Sequence, residues 1–253
     1  MCSSDLATIS ESIANLAGLT TAGTDAITVT VTDAASVAEF NTLDAKTSVN
    51  VVLQGGISDT AANLSPAGVN SAGFTAATTQ DTDVTVTITG ANPTVAELNA
   101  ISGATTGIVT ATISESIANL AGLTTAGTDA ITVTVTDAAS VAQFNTLDAK
   151  TSVNVVLQGG VSDIAAAYAA ADGTTTEGLT AIAAQDGDAV LTVTDAVTIA
   201  QVNTLDAATS SNLVLSGGIS DTAANLSPAG VNSAGFTAAT TQDTDVKIGR
   251  AHV

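Results

Sequence analysis

The chain is poor in the residues that build most catalytic and redox sites. Its 253 residues include one Cys, one His, four Lys or Arg and no Trp, and aromatic residues make up only 2%. Cys2 and His252 lie near the two ends, so the interior offers neither a disulfide nor an imidazole. Ala, Val, Ile and Leu must therefore fill the core, and such side chains suit thin, regular layers better than one thick centre.

Positive charge is also scarce. The 24 Asp and Glu residues against four Lys or Arg give a formal net charge of −20. Because phosphates and anionic lipids would be repelled, we expect neither nucleic-acid binding nor attraction to anionic membranes. No apolar run approaches the roughly 20 residues that a membrane-spanning helix needs, so we expect no membrane insertion.

The most informative feature present is internal duplication. Residues 7–59 return almost unchanged as residues 111–163, and residues 56–84 return identically as residues 218–246. Self-similarity over whole segments is typical of repeat proteins, in which each unit buries its apolar face against its neighbours.

Within one repeat, the first signal is a strand followed by a capped helix. Ile27, Val29 and Val31 alternate with threonines, a period of two that predicts a strand with one covered face and one Thr-lined face. Ser36 followed three residues later by Glu39 is a capping box, which marks a helix start. The same box recurs at Thr94 with Glu97, Ser140 with Gln143, and Thr198 with Gln201.

The rest of the repeat predicts a second strand and a second helix. Val37, Phe40 and Leu43 form an apolar stripe at helical spacing after the first cap. Residues 49–53 predict a strand that ends at two glycines. Residues 57–64 then predict a short helix capped by Ser58 or Asp59, and this helix is expected again at residues 113–120 and 219–226.

Alternating strands and short helices predict an α/β fold with parallel strand pairing and right-handed crossovers. We expect an open right-handed solenoid of strand–helix modules, with an all-β solenoid and a chain of small separate α/β domains as alternatives. The predicted insertions, which carry Phe74 and Phe236, are extra loop–helix segments at residues 65–83, 169–188 and 227–245. The predicted modules are about 7–25, 26–48, 49–83, 84–106, 107–129, 130–152, 153–188, 189–210 and 211–246.

The two ends differ from the repeat. Residues 1–6 and 247–253 correspond to a common sequencing-adapter sequence read as protein, so we exclude them from the array of residues 7–246. We expect this array to be a metagenomic fragment of a longer bacterial protein. Lys46 and Lys150 are then its only cations.

The sequence assigns no catalytic, cofactor-binding or metal-binding residue. Without an interior His, Cys or Arg, we expect no enzyme activity. Carboxylates in register offer one alternative, a ladder of oxygen ligands for Ca²⁺. They equally fit structural roles at helix caps and strand ends. The residues concerned are Asp25, Asp83, Asp129 and Asp188 before strands, and Asp33, Asp137 and Asp195 after them.

Other recurring side chains have structural interpretations. We expect Asn41, Asn99, Asn145 and Asn203 to satisfy backbone groups at a corner, and Phe40, Phe144 and Tyr168 to pack in the core or at its rim. The Thr rows suggest a weaker alternative, an ice-binding surface. The rows are Thr28, Thr30 and Thr32, Thr85, Thr87 and Thr89, Thr132, Thr134 and Thr136, and Thr192 and Thr194.

The motif Ser-Asp-Thr-Ala-Ala-Asn-Leu at residues 58–64 and 220–226, its variant at residues 114–120, and the run at residues 94–99 resemble repeats of very large bacterial proteins. Those proteins are Ala-, Thr- and Asp-rich, secreted or attached to the cell surface, and adhesin-like or RTX-associated. The resemblance implies an extracellular or cell-surface location and a stalk or adhesive role, with neighbouring repeats as partners and an unidentified surface or glycan as ligand. The Gly-Gly-x-Gly-x-Asp calcium nonapeptides of RTX proteins are absent.

Overall fold

A computed structural model of the chain describes residues 7–249 and shows an α/β protein with parallel strands. The strands are β1 (Ala7–Glu11), β2 (Ile27–Val31), β3 (Val52–Leu53), β4 (Ile57–Thr60), β5 (Val86–Thr89), β6 (Val109–Glu115), β7 (Ala130–Val135), β8 (Val155–Val156), β9 (Val161–Asp163), β10 (Leu191–Val193) and β11 (Val214–Leu215). The first sheet has the order β1-β2-β3, the second β4-β5-β6-β7-β8 and the third β11-β10-β9.

Short helices alternate with these strands. They are α1 (Ile13–Leu16), α2 (Val37–Asp44), α3 (Ala61–Leu64), α4 (Ala72–Gln80), α5 (Val95–Ser102), α6 (Ile117–Leu120), α7 (Val141–Asp148), α8 (Ala165–Tyr168), α9 (Glu177–Gln185), α10 (Ile199–Ala208), α11 (Ala223–Leu226) and α12 (Ala234–Gln242), with 3-10 turns at Pro66–Gly68 and Pro228–Gly230. All four predicted capping boxes are present, at the starts of α2, α5, α7 and α10. In the described part of the chain no helix is long and apolar enough to cross a membrane.

Strands β2, β6 and β7 bury alternate residues, as their sequence period predicts. Val29 and Val31 are fully buried, whereas Thr32, beyond the end of β2, is exposed. In β6 the alternation is complete, with Val109, Ala111 and Ile113 inward and threonines outward. The inward residues meet the buried stripe of the helices, such as Phe40 in α2, and this apolar layer is the core.

The predicted second strand and second helix need correction. Of residues 49–53 only Val52 and Leu53 form strand β3, because only these two pair with β2, at Thr30 and Val31. Residues 57–60 are strand β4 rather than helix, and the helix that follows is capped by Thr60, not by Ser58 or Asp59.

The same correction applies to the other two copies. Residues 113–115 complete β6, and α6 begins only after its cap, Ser116. Ile219 pairs with Val197 and Ile248 through isolated bridges, and α11 begins after its cap, Thr222. In each copy the β-branched start of the motif continues the ladder, so the helix is limited to a single turn.

A pair of glycines lets the chain step from β3 to β4. A Cβ on Gly55 would lie 2.1 Å from the backbone carbon of Asp33, so no larger residue fits. Gly56 has φ of +79°, a conformation that glycine adopts without a steric penalty. Beyond this step Ala35 bridges to Ile57, which extends the ladder past the gap that follows β3.

The predicted insertions each contain a nine-residue helix, namely α4, α9 and α12. Each packs against the helix of a preceding segment, in the pairs α2 with α4, α7 with α9, and α10 with α12. The loop–helix interpretation of the insertions is therefore confirmed.

Contacts divide the chain into two compact units. Unit 1 contains the described residues up to Ile113, with Gly122–Thr132 and Lys150–Val153. Unit 2 contains Ser114–Ala121, Val133–Ala149 and the described residues from Asn154 onward. Of the adapter-like ends, residues 1–6 and 250–253 lie outside the described residues.

Candidate functional site

The aspartates that follow strands cap helices of neighbouring segments. Asp33, Asp137 and Asp195 each accept a 2.6 Å hydrogen bond from the first backbone N–H of α1, α6 and α8, respectively. Each bond joins residues 20 or 30 positions apart. A carboxylate at this position satisfies an unpaired N–H and interacts favourably with the helix dipole. These three carboxylates therefore hold successive segments together.

A second set of aspartates does the same for the longer helices. Asp59, Asp163 and Asp221 accept 3.0 Å bonds from the first N–H of α2, α7 and α10, respectively. Burial opposes ionisation of Asp221, but hydrogen bonds from Ile199, Asn225 and Thr222 lower its pKa below the usual value. The sequence prediction missed this second set, because Asp59 and its equivalents were assigned to a local cap.

The aspartates that precede strands have two different environments. Asp129 is 2% exposed, and its carboxylate accepts bonds from the N–H groups of Val109 and Ala126 and from the hydroxyl of Ser102. Asp25 accepts the N–H of Ala22 in the equivalent turn. Both carboxylates are thus part of turns and strand ends.

Asp83 and Asp188, in contrast, each lie beside a second carboxylate. Burial and the neighbouring Asp83 raise the pKa of Asp81, and the N–H of Leu53 opposes this rise by donating a 3.0 Å bond. The same pattern holds at Asp186, whose pKa is raised by burial and by Asp188.

Each carboxylate pair lines a surface groove. The first groove, of about 390 Å³, is lined by Thr30, Val52, Leu53, Gln54, Asp81, Asp83, Val84 and Thr85. The second, of about 310 Å³, is lined by Thr134, Val156, Leu157, Gln158, Asp186, Asp188, Ala189 and Val190. Both grooves follow a short edge strand, β3 or β8, so the step in the sheet creates them.

Gln80 and Asp81, which we call the Gln–Asp clamp, accept the N–H groups on the free edge of β3. Gln80 accepts the N–H of Val51 at 2.8 Å and donates to Asp44 at 2.6 Å, while the adjacent Asp81 accepts the N–H of Leu53. Residues 51 and 53 present their N–H groups on the same strand edge, so the two side chains replace the carbonyls of a neighbouring strand. The arrangement recurs with Gln185 and Asp186, and with Gln242 and Asp243.

The sequence prediction missed this clamp, although a signal for it exists. The dipeptide Gln-Asp ends each inserted helix at residues 80–81, 185–186 and 242–243. A polar pair at the end of each insertion, about 28 to 30 residues after the strand that it serves, is the pattern that could have identified it.

The grooves offer limited chemistry. Among the described residues no group of three or more His, Cys, Asp or Glu side chains is placed to hold a metal ion. Each groove has two carboxylates and a Gln amide, with two threonine hydroxyls in the first groove and one in the second. These groups can bind a proton or accept and donate hydrogen bonds to a polar ligand.

The recurring asparagines have two roles. Asn99 donates to the carbonyl of Gly122 at 2.8 Å and accepts the N–H of Thr124 at 2.7 Å, so its predicted backbone role is confirmed. Asn41, Asn145 and Asn203 instead lie beside Gly73, Gly178 and Gly235 of the inserted helices.

The three aromatic residues that were predicted to pack in the core or at its rim lie in the core. Phe40, Phe144 and Tyr168 have no exposed surface. Tyr168 donates its hydroxyl to the carbonyl of Thr192 at 3.1 Å, and burial raises the pKa of this phenol.

The outward Thr rows are interrupted. Thr30 pairs with the half-exposed Val52, and Thr134 pairs with Val156 in the same way. The rows therefore do not form one continuous hydroxyl surface.

Compared with models of known protein families, with curated protein sequences and with solved structures, the chain shows no match. The fold and the hydrogen-bonded segments described above are therefore the basis for assigning a function.

Proposed function

We propose that the chain is a non-catalytic repeat segment, a stiff spacer or adhesive rod within a large bacterial secreted or surface protein. In this proposal the strand–helix modules continue into one open right-handed solenoid. The observation that carries it is the repeated bond from a strand-end aspartate to a helix start 20 to 30 residues earlier. Because each module completes the previous one, the modules depend on one another for stability.

The strand registers support the same proposal. Partner strands are offset by 20 residues at Ala7 with Ile27, by 22 at Thr30 with Val52 and by 23 at Val86 with Val109. Offsets are larger where an insertion intervenes, as at Leu191 with Val161. One module therefore contributes one strand, and the side chains at the end of each insertion take the place of a neighbouring strand at the edge of β3 or β8.

The polar groups of the described segments favour a structural role over catalysis. Most of the strand-end carboxylates are engaged by backbone N–H groups of the same fold, and the two grooves carry the same types of side chain. The acidic surface keeps such a segment soluble. The proposed extracellular or surface location rests on the resemblance of its repeats to those of large secreted proteins.

Distance measurements test the spacer role. Dyes would be attached at Ser10→Cys and Thr244→Cys in a Cys2→Ser background, and the distribution of their separation measured by single-molecule energy transfer. A stiff spacer predicts one narrow distribution that does not change between low and high salt. A broad or salt-dependent distribution would contradict it.

The same samples test the calcium alternative. The proposal predicts equal melting temperatures in Ca²⁺ and in Mg²⁺ at matched ionic strength, because the capping carboxylates are already occupied by N–H groups. A ligand that binds only the folded state must raise the melting temperature. A rise in Ca²⁺ alone would favour the calcium-binding module instead.

A further inference from the structure

Two identical sequences in this chain have different surroundings. Residues 56–84 and residues 218–246 have the same sequence. Phe74 and Ser65 have no exposed surface, whereas their equivalents, Phe236 and Ser227, are partly exposed. Since the sequences do not differ, the difference in burial comes from what packs against each copy.

Helix α5 is what covers the first copy. It packs against α3 and the turn Pro66–Gly68. A Cβ on Gly68 would lie 3.0 Å from the Cβ of Ala96, and Asn70 donates its amide to the carbonyl of Ala100 at 3.1 Å. Leu98 and Ile101 of the same helix are fully buried.

The equivalent surface on the second copy is open. We call it the 218–246 face, defined by Ala223, Leu226, Gly230, Asn232 and Phe236. A Cβ on Gly230 would meet no atom within 4 Å. Ala223 is exposed, whereas its equivalent in the first copy, Ala61, is only 6% exposed.

The first strand pairing beneath this face is nonetheless present. Ile219 donates its N–H to the carbonyl of Lys247 and bridges to Ile248, as Ile57 of the first copy donates to Thr85 and pairs with Val86. The helix layer above it lacks a counterpart of α5 among the described residues.

We propose that the 218–246 face is a docking surface for one more strand–helix module, with the chemistry of residues 84–106, joined in the same polypeptide. This inference rests on the proposed repeat function and names the partner. The module must carry a helix with alanines that allow close approach to the Gly230 turn, and a Leu–Ile pair that becomes buried as Leu98 and Ile101 are in α5. An eight-residue helix is unstable alone in water, so covalent continuity is what makes the docking effective.

The experiment replaces residues 247–253 with a copy of residues 85–106. We expect the backbone amides of α11 and α12 to exchange with solvent about tenfold more slowly than in the unmodified chain. Their opening would now also break the contacts of the added helix. Hydrogen exchange read by mass spectrometry resolves these helices from the rest of the chain.

Two controls keep the test specific. In the first, the appended copies of Leu98 and Ile101 are changed to Asp, and the added protection should vanish. In the second, Ala223→Glu should leave the unmodified chain unaffected but abolish the protection in the extended chain. Ala61→Glu, at the covered equivalent, should destabilise the unmodified chain.

Three results would overturn the proposal: no slowing of exchange in the extended chain, equal slowing with the Asp-substituted module, or a dimer of the unmodified chain that Ala223→Glu dissociates. The last would make a second copy the occupant of the face. These outcomes are independent of the dye-distance measurement, because they report on one local surface and not on the stiffness of the chain.

Discussion

At the scale of single residues, the acidic side chains act mainly as acceptors for backbone N–H groups. Asp163 shows the principle most clearly, because its two carboxylate oxygens accept the N–H of Val141 at 3.0 Å and that of Ile164 at 2.9 Å. One side chain thus caps a helix of an earlier segment and orders its own turn. The high acidity of the chain follows in part from this repeated use.

Asp163→Ala tests this role. We expect a loss of about 1 kcal/mol in the free energy of unfolding, the typical cost of removing a helix cap. Asp163→Asn keeps one acceptor oxygen, so its loss should be smaller. Urea denaturation, followed with a probe placed in unit 2, measures the free energy of unfolding of both variants. Equal stability of the alanine variant and the parent would contradict the capping role.

The paired carboxylates of the grooves predict a pH effect of a particular sign. Because the pKa of Asp81 is raised by burial and by Asp83, the folded state binds this proton more strongly than the unfolded state does. The contribution of this group to stability is therefore greatest below its unfolded pKa and is lost as the pH rises through its folded pKa.

Asp81→Asn removes the charge but keeps an oxygen for the N–H of Leu53. We expect a higher melting temperature than the parent at pH 7, and a difference that shrinks as the pH falls below the usual range of Asp, since the parent is then protonated too. Asp172→Asn is the control, at an exposed turn where hydrogen bonds from Thr174 lower the pKa of the aspartate. We expect no rise in melting temperature for this variant. A gain for Asp81→Asn that persists unchanged at low pH would show that charge is not its cause.

At the scale of elements, the fold depends on close contact between each inserted helix and an earlier one. Gly178 of α9 faces α7, and a Cβ there would lie 2.3 Å from Val141 and 3.3 Å from the amide of Asn145. The asparagines that recur along the sequence therefore mark a helix–helix contact as well as a corner.

Gly178→Ala is expected to destabilise unit 2, although alanine favours a helix by about 1 kcal/mol over glycine. The steric overlap with Val141 outweighs that gain, because a core contact of this kind forces a backbone shift of the helix. Gly18→Ala is the control, since its nearest neighbour would be 3.9 Å away. The melting temperatures of both variants, compared with that of the parent, test this expectation. A Gly178→Ala variant more stable than the parent would show that α9 does not approach α7 so closely.

The elements also show what the sequence could and could not predict. The alternation around Val29 and the box at Ser36 with Glu39 are local signals, so strands and helix starts were predicted correctly from them. The Gln80 clamp and the Asp59 cap join residues 22 to 36 positions apart. No local period reports such contacts, and for that reason Asp59 was assigned to a local cap and the role of Gln80 was missed.

At the scale of the whole molecule, we propose that the modules share their interiors and add to one ladder, and this proposal is the central claim. Parallel strands in a ladder are spaced by about 4.7 to 4.9 Å, so each added module should lengthen the molecule by that amount. Independent compact domains would not grow in this way.

The most direct measurement is therefore small-angle X-ray scattering of the chain and of a variant in which residues 107–152 are duplicated in place. This insertion adds two predicted modules, and the account predicts an increase in maximum dimension of about 10 Å with an unchanged cross-section. An unchanged maximum dimension with a thicker cross-section, or a flexible pair of separate bodies, would contradict the shared ladder.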